Sequence, residues 1–184
     1  MKLAVLFPGI GYTCTKPLLY YAGKLAAAHG YRVLPIAYGD FPKDAKGDPL
    51  KMQICFVSAY EQAEETLRSV RWEECDDVLF IAKSIGTTVA ARYAREHDVA
   101  ARLILMTPLA ETFRFTGGSA IAFHGTADPW AVTNEIRRAC REQGIPLYLT
   151  EGANHSLETG IVQTDLATLA ETMGIIDRFI PNSI

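Results

Sequence analysis

The amino-acid sequence predicts an α/β fold with a six-stranded, mostly parallel sheet and helices on both of its faces. Short apolar segments alternate with helix-like segments along all 184 residues, and this alternation is typical of parallel sheets. With 49% hydrophobic and 21% charged residues, the chain has the balance of a globular protein and enough length for one buried core. We therefore expect a single domain over residues 1–184.

Six apolar segments are predicted to be β-strands. The second contains Pro35, which cannot donate to a strand ladder, so we expect this strand at an edge of the sheet. The strands are expected at Lys2–Phe7, Tyr31–Tyr38, Asp77–Ala82, Arg102–Met106, Ala120–His124 and Pro146–Thr150.

Five segments between and after these strands have helical spacing. Pro17 suits a first helical turn and Gly30 suits a helix C-cap, so one helix is expected between them. The segment Gly39–Lys51 is rich in Gly, Pro, Asp and Lys and predicts a loop, and Thr107–Gly118 predicts a short connection without a clear helix. The helices are expected at Pro17–His29, Ile54–Val70, Ile85–Glu96, Val132–Gln143 and Asp165–Phe179.

Composition argues against several classes of partner. The net charge is −3 and the charges are mixed along the chain, so we expect no nucleic-acid binding. No apolar stretch has the length of a membrane span, and the apolar start ends at Pro8-Gly9, as a first strand would. The four cysteines lack the two-residue spacing of metal or redox motifs, which predicts reduced thiols in a cytoplasmic protein without a bound metal.

The segment around Ser84 carries the strongest functional signal. Ser84 lies between a predicted strand and a predicted helix, with Ala82 two residues before it and Gly86 two residues after it. Small residues at these positions let a strand turn into a helix so tightly that the serine projects above the sheet. A serine hydroxyl in such a turn is a candidate nucleophile, although a plain helix cap is the simpler alternative.

Asp128 and His155 supply the other groups that a serine nucleophile needs. Histidine removes a proton near neutral pH, and a carboxylate on its second ring nitrogen orients it and stabilises its charged form. Ser84, Asp128 and His155 follow the third, fifth and sixth strands. The carboxyl ends of parallel strands meet at one edge of the sheet, so we expect the three side chains to lie together there.

The loop after the first strand is expected to complete the site. A tetrahedral oxyanion needs backbone N–H donors, which we assign to Ile85 and Ile10. Gly9 and Gly11 would let the backbone approach the substrate, and Tyr12 follows them. A nucleotide-binding reading of the two glycines fails because the third glycine of that motif is replaced by Cys14.

These motifs resemble a small α/β-hydrolase of the dienelactone-hydrolase-like or esterase-like type over essentially the whole chain. The resemblance implies a minimal fold without a cap domain, a strand order of two, one, three, four, five, six, and Ser84, Asp128 and His155 as nucleophile, acid and base. It also implies a carboxylic ester or thioester of a small soluble molecule as substrate, without a cofactor. An amidase or peptidase and a catalytically silent binding protein of the same fold are the alternatives.

The sequence allows two interpretations of several neighbouring residues. Lys83 is either a solvated surface charge or a group that attracts an anionic substrate, and Trp130 either lines the pocket or packs in the core. Glu151 and Asp165 are weaker rivals of Asp128 for the acid role. His124 is expected to be a structural residue at a strand end.

Overall fold

The structure is a computed structural model that describes residues 1–45 and 47–181. It contains a six-stranded sheet in which all neighbouring strands are parallel. The order is β2-β1-β3-β4-β5-β6, as the resemblance implied, and the strand with Pro35 lies at an edge. The strands are β1 (Lys2–Phe7), β2 (Arg32–Pro35), β3 (Asp77–Lys83), β4 (Ala101–Met106), β5 (Ala120–Gly125) and β6 (Leu147–Thr150).

Helices cover both faces of this sheet, as predicted. One face packs against the second, third and fourth helices, and the other packs against the first and fifth. Apolar side chains therefore alternate between two buried layers, for example Phe80 on one face of β3 and Ile81 on the other. The helices are α1 (Pro17–Ala28), α2 (Pro49–Leu67), α3 (Ile85–Glu96), α4 (Thr133–Glu142) and α5 (Val162–Phe179).

The start of α2 differs from the prediction. This helix begins at Pro49 rather than at Ile54, so the predicted loop Gly39–Lys51 is shorter than expected, and Lys46 within it lies outside the described residues. The Asp48 carboxylate accepts hydrogen bonds from the amides of Leu50 and Lys51 at 3.0 and 3.1 Å and thereby caps the helix. An aspartate at the cap and a proline at the first position start a helix, although each alone also suits a loop.

The connection between β4 and β5 contains one short 3₁₀ turn, Ala110–Arg114, and adds no cap domain. A second 3₁₀ turn, Trp72–Glu74, precedes β3 and was not predicted. The last helix begins three residues earlier than expected, at Val162. These differences leave the carboxyl edge of the sheet as predicted, with the ends of β1, β3, β5 and β6 opening onto one side.

Candidate active site

Ser84 occupies a tight turn between β3 and α3. Its backbone has φ 58° and ψ −128°, a conformation that side-chain-bearing residues rarely adopt and that costs on the order of 1–3 kcal/mol. The turn passes so close to β1 that a Cβ on Gly86 would lie 2.4 Å from the carbonyl oxygens of Phe7 and Pro8. The small residue two positions after Ser84 is therefore a steric requirement, as the motif indicated.

The structure brings Ser84, His155 and Asp128 together in one chain of hydrogen bonds. The His155 Nε2 atom lies 2.7 Å from the Ser84 Oγ, and its Nδ1 lies 2.7 Å from the Asp128 Oδ2. With the proton on Nδ1, His155 donates to Asp128 and can accept the proton of the Ser84 hydroxyl. The geometry is that of a nucleophile, a base and an orienting acid.

The environment of Asp128 keeps it ionised. Its side chain is fully buried, and burial alone would raise its pKa. The hydrogen bonds from His155 and from the backbone amide of Trp130, at 2.8 Å, outweigh burial, so the pKa of Asp128 lies below its usual value. A carboxylate that is charged at neutral pH therefore faces His155, whose side chain is 15% exposed.

The two rivals for the acid role lie elsewhere. Asp165 accepts hydrogen bonds from the Thr159 amide and hydroxyl and from the Gly160 amide, so it organises the loop before α5. Glu151 is exposed in the turn after β6. Asp128 is the carboxylate in contact with His155.

His124 is a buried neighbour of this pair. Its Nε2 lies 3.0 Å from the Thr133 hydroxyl, and its Nδ1 lies 3.8 Å from the Asp128 Oδ2. Burial lowers the pKa of His124, so the ring is held in its neutral form. These contacts agree with the structural role expected for His124.

The loop after β1 forms a closed turn beside Ser84. Gly9 and Tyr12 exchange two backbone hydrogen bonds of 3.0 and 3.2 Å, and Gly11 has a φ of 69°, which favours glycine. A Cβ on Gly9 would lie 3.0 Å from the Ser84 Cβ, so this glycine permits the close approach. Among residues 1–45 and 47–181, the amides of Ile10 and Ile85 donate to no protein acceptor, as groups reserved for an oxyanion would.

Lys83 is buried, and its reading as a solvated surface charge is wrong. The residue is 1% exposed, and its Nζ lies 4.9 Å from the centre of the Tyr12 ring. Lys83 shares a face of β3 with the buried Ile81, and it lies at the bottom of that face where it borders the cleft above Ser84. Burial raises the pKa of Tyr12 to about 12, and its hydroxyl accepts a hydrogen bond from the Leu18 amide at 3.1 Å.

A cleft of about 1020 Å³ opens above Ser84. Trp130 is 42% exposed and lines this cleft, with its ring centre 6.4 Å from that of His155. This position favours the pocket reading of Trp130 over core packing. Gly47, Asp48 and Pro49 also line the cleft, so the segment before α2 forms part of its rim.

Gly125 is a functional position that the sequence reasoning did not single out. A Cβ there would lie 2.3 Å from the Ala153 carbonyl oxygen, which shows how closely the Asp128 loop and the His155 loop approach each other. The amide of Ala127 donates to the same oxygen at 2.9 Å. A glycine three residues before Asp128 is the sequence signal of this contact.

The described part of the chain lacks the features of two other kinds of site. Residues 1–45 and 47–181 contain no cluster of three or more His, Cys, Asp or Glu side chains that could hold a metal ion. No helix in this part of the chain is both long and apolar enough to cross a membrane. The thiol of Cys14, which lies near the site, donates to the Ile36 carbonyl, and burial raises its pKa to about 11.

The fold defined by this sheet and elbow is the α/β-hydrolase fold. A serine hydrolase homologue from Coxiella burnetii is similar over 97% of this chain and 84% of its own, with 18% identity and a TM-score of 0.66. A serine hydrolase without a lid from Xanthomonas campestris matches 99% of this chain and 84% of its own, with 14% identity and a TM-score of 0.64.

An esterase from Pyrococcus furiosus matches 97% of this chain and 79% of its own, with 13% identity and a TM-score of 0.68. No protein-family model and no curated protein matches the sequence. The fold is therefore shared with known hydrolases, whereas the chemistry has to be argued from the residues of this chain.

Proposed function

We propose that this protein is a serine hydrolase that cleaves a carboxylic ester or thioester of a small molecule through an acyl-enzyme intermediate. The observation that carries the proposal is the unbroken chain of hydrogen bonds from Asp128 through His155 to Ser84. Each of the two bonds is 2.7 Å long, and the serine sits in a strained elbow above the sheet. A helix cap would need neither the base nor the strain, and the Ser84 side chain caps no amide of α3.

In the first half of the reaction, the Ser84 Oγ attacks the carbonyl carbon while its proton moves to the His155 Nε2. Asp128 stabilises the imidazolium that forms, and the amides of Ile10 and Ile85 donate to the oxyanion. His155 then gives the proton to the leaving oxygen or sulfur, and the bond to the carbonyl carbon breaks. The acyl group is left on Ser84.

In the second half, water takes the place of the leaving group. His155 removes a proton from the water, whose oxygen attacks the acyl carbon, and then returns the proton to the Ser84 Oγ as the acid is released. The proton transfers between Ser84 and His155 take place across their existing 2.7 Å contact. No step of this mechanism uses a metal ion or an organic cofactor.

The proposal is tested by labelling with a serine-reactive phosphonate probe. The wild-type protein should form one adduct, at Ser84, and Ser84→Ala should lose both the adduct and turnover while keeping its circular dichroism spectrum. Ser156→Ala is the matched control, because Ser156 lines the same cleft without an elbow, and it should keep the adduct. An intact wild-type protein that takes no label would be a silent binding protein of this fold.

The bond type is tested by matched substrates with one acyl group. Ester, thioester and amide versions should show measurable hydrolysis of the first two and much slower hydrolysis of the amide. Faster cleavage of the amide would favour the amidase or peptidase alternative. The buried Lys83 and the cleft residues Tyr12 and Trp130 are proposed to contact the substrate, and the cytoplasmic location stays a prediction.

A further inference from the structure

The cleft extends from Ser84 along the surface of α3. Ile85, Thr88 and Arg92 all line it, and their spacing of three and four residues places them on one face of the helix. Arg92 is eight residues from Ser84, which corresponds to about 12 Å along a helix that rises 1.5 Å per residue. This part of the cleft is a trench with α3 as its floor.

Apolar side chains form the two walls of the trench. Met52 and Phe56 of α2 stand on one side, and Leu109 and Phe115 of the connection between β4 and β5 stand on the other. Met52, Phe56 and Leu109 also pack against a small buried cluster that includes Ile85, the proposed oxyanion donor. Walls of this kind favour a hydrocarbon chain, because its burial removes apolar surface from water.

Two arginines line the cleft at the far end of the trench. The Arg92 guanidinium lies 4.1 Å from the Tyr60 ring centre, and its Nε donates to the Glu96 Oε1 at 2.8 Å. These two contacts fix the position of the guanidinium. Its two terminal nitrogens have no acceptor in the described part of the chain. Arg114 is exposed, and its side chain forms no ion pair with any residue that the structure describes.

Two carboxylates line the cleft, Asp48 and Glu111, and Asp48 already accepts hydrogen bonds from the amides at the start of α2. Glu111 lies three residues before Arg114 in the same 3₁₀ turn and also lines the cleft. Glu96 is occupied by Arg92 and by the Tyr60 hydroxyl, 2.5 Å away. The cationic donors that face the trench therefore outnumber the carboxylate that remains free to repel an anion.

The position of His155 decides which arm of the substrate occupies the trench. His155 must pass its proton to the leaving group, so the leaving group lies on its side of Ser84, beside Trp130. The acyl chain then extends away from His155, over Ile85 and into the trench. Resting on the proposed function, we propose that the natural acyl group is a hydrocarbon chain with an anionic far end, such as a carboxylate, which Arg92 and Arg114 bind.

The test uses pairs of 4-nitrophenyl esters whose acyl chains end either in a carboxylate or in the neutral carboxamide of the same size. Chain lengths run from shorter to longer than the trench. The ratio of kcat/KM, carboxylate over carboxamide, should peak at about tenfold when the chain reaches Arg92, the worth of one hydrogen bond between charged groups. It should be near one for short chains.

Three variants and one control test whether charge at the far end of the trench sets this ratio of kcat/KM. Arg114→Gln should lower the ratio toward one, and Glu111→Gln, in the same turn, should raise it. Arg92→Lys keeps a charge but loses the planar fork, and it should reduce the ratio without unfolding the protein, as circular dichroism would report. Arg141→Gln removes an exposed arginine of α4 outside the cleft and should leave the ratio unchanged.

The possible failures are distinguishable. If both esters of each pair are hydrolysed equally at every length, the anionic end is wrong and the hydrolase proposal survives. If the ratio is high but Arg114→Gln and Arg92→Lys leave it unchanged, the anion binds elsewhere and the assignment of the trench is wrong. If neither ester is hydrolysed and Ser84 takes no label, the hydrolase proposal fails and this inference fails with it.

Discussion

Replacing Gly86 by alanine tests whether the elbow sets the geometry of the site. The new Cβ would lie 2.4 Å from two carbonyl oxygens, those of Phe7 and Pro8, which is about 1 Å inside ordinary van der Waals contact. Both oxygens belong to backbone at the end of β1, directly before the Gly9–Tyr12 turn. Relief of the clash therefore has to move that turn or the elbow.

Two magnitudes follow from this clash. Overpacking of a rigid site costs about 1–3 kcal/mol, so the free energy of unfolding should fall by an amount of this size. A displacement of about 1 Å between Ser84 and the Ile10 amide should lower kcat by roughly 10²-fold. Urea unfolding and hydrolysis of a soluble short-chain ester measure the two effects.

Gly174→Ala is the matched control. Gly174 lies within α5, and a Cβ there would meet the Arg178 side chain at 3.6 Å, an ordinary contact. This variant should gain about 0.5–1 kcal/mol of stability, because alanine favours helix over glycine, and should keep wild-type kcat. If Gly86→Ala matched the wild-type protein in both assays, the steric argument for the elbow would be refuted.

Four further predictions concern the acid, the base and access to the cleft. Asp128→Asn should leave the fold intact and lower kcat by roughly 10³–10⁴-fold, as loss of the acid does in serine proteases. Glu151→Gln is the control and should keep wild-type kcat. Similar losses of kcat in both variants would contradict the acid role of Asp128. Turnover should fall toward acid pH because protonated His155 cannot accept the Ser84 proton, and a profile that stays level where imidazole titrates would contradict its role as base. The pKa of Asp128 is lowered in the folded protein. The ionised Asp128 therefore stabilises the fold above the ordinary pKa of aspartate, and this stabilisation is lost as pH falls through the lowered pKa. The difference in the free energy of unfolding between wild type and Asp128→Asn should therefore shrink in acid. Without a cap domain, hydrolysis of an ester should show no jump at its solubility limit, and a sharp rise there would reveal a mobile cover.

The sequence predicted the parts of the fold that local pattern controls. β1 and α3 have the predicted bounds, and the strand order and the edge position of Pro35 are confirmed. The hydrogen bonds among Ser84, His155 and Asp128 agree with the expected grouping, and their catalytic roles stay predictions. These inferences succeeded because short residues at a turn, and the shared direction of parallel strands, determine where side chains emerge.

Other features depend on contacts between distant segments. The prediction that Lys83 is a solvated surface residue rested on its charge, whereas its burial follows from the face of β3 that it shares with Ile81. The start of α2 at Pro49 was missed because the Asp48 cap and the proline both suit loops as well. The need for glycine at position 125 becomes visible only when the Ala153 carbonyl is placed against it.

The position of β6 has a consequence for how the protein loses activity on heating. This four-residue strand is one of the two edges of the sheet, its one strand partner among residues 1–45 and 47–181 is β5, and the loop that it begins carries His155. Edge segments open locally at lower free energy than a sheet interior, so β6 should detach before the centre melts. Ser84 follows β3, which lies inside the sheet between β1 and β4, so it would then keep its place after His155 has moved away. Inactivation should therefore precede loss of helix content, and amide hydrogens of β6 should exchange before those of β3.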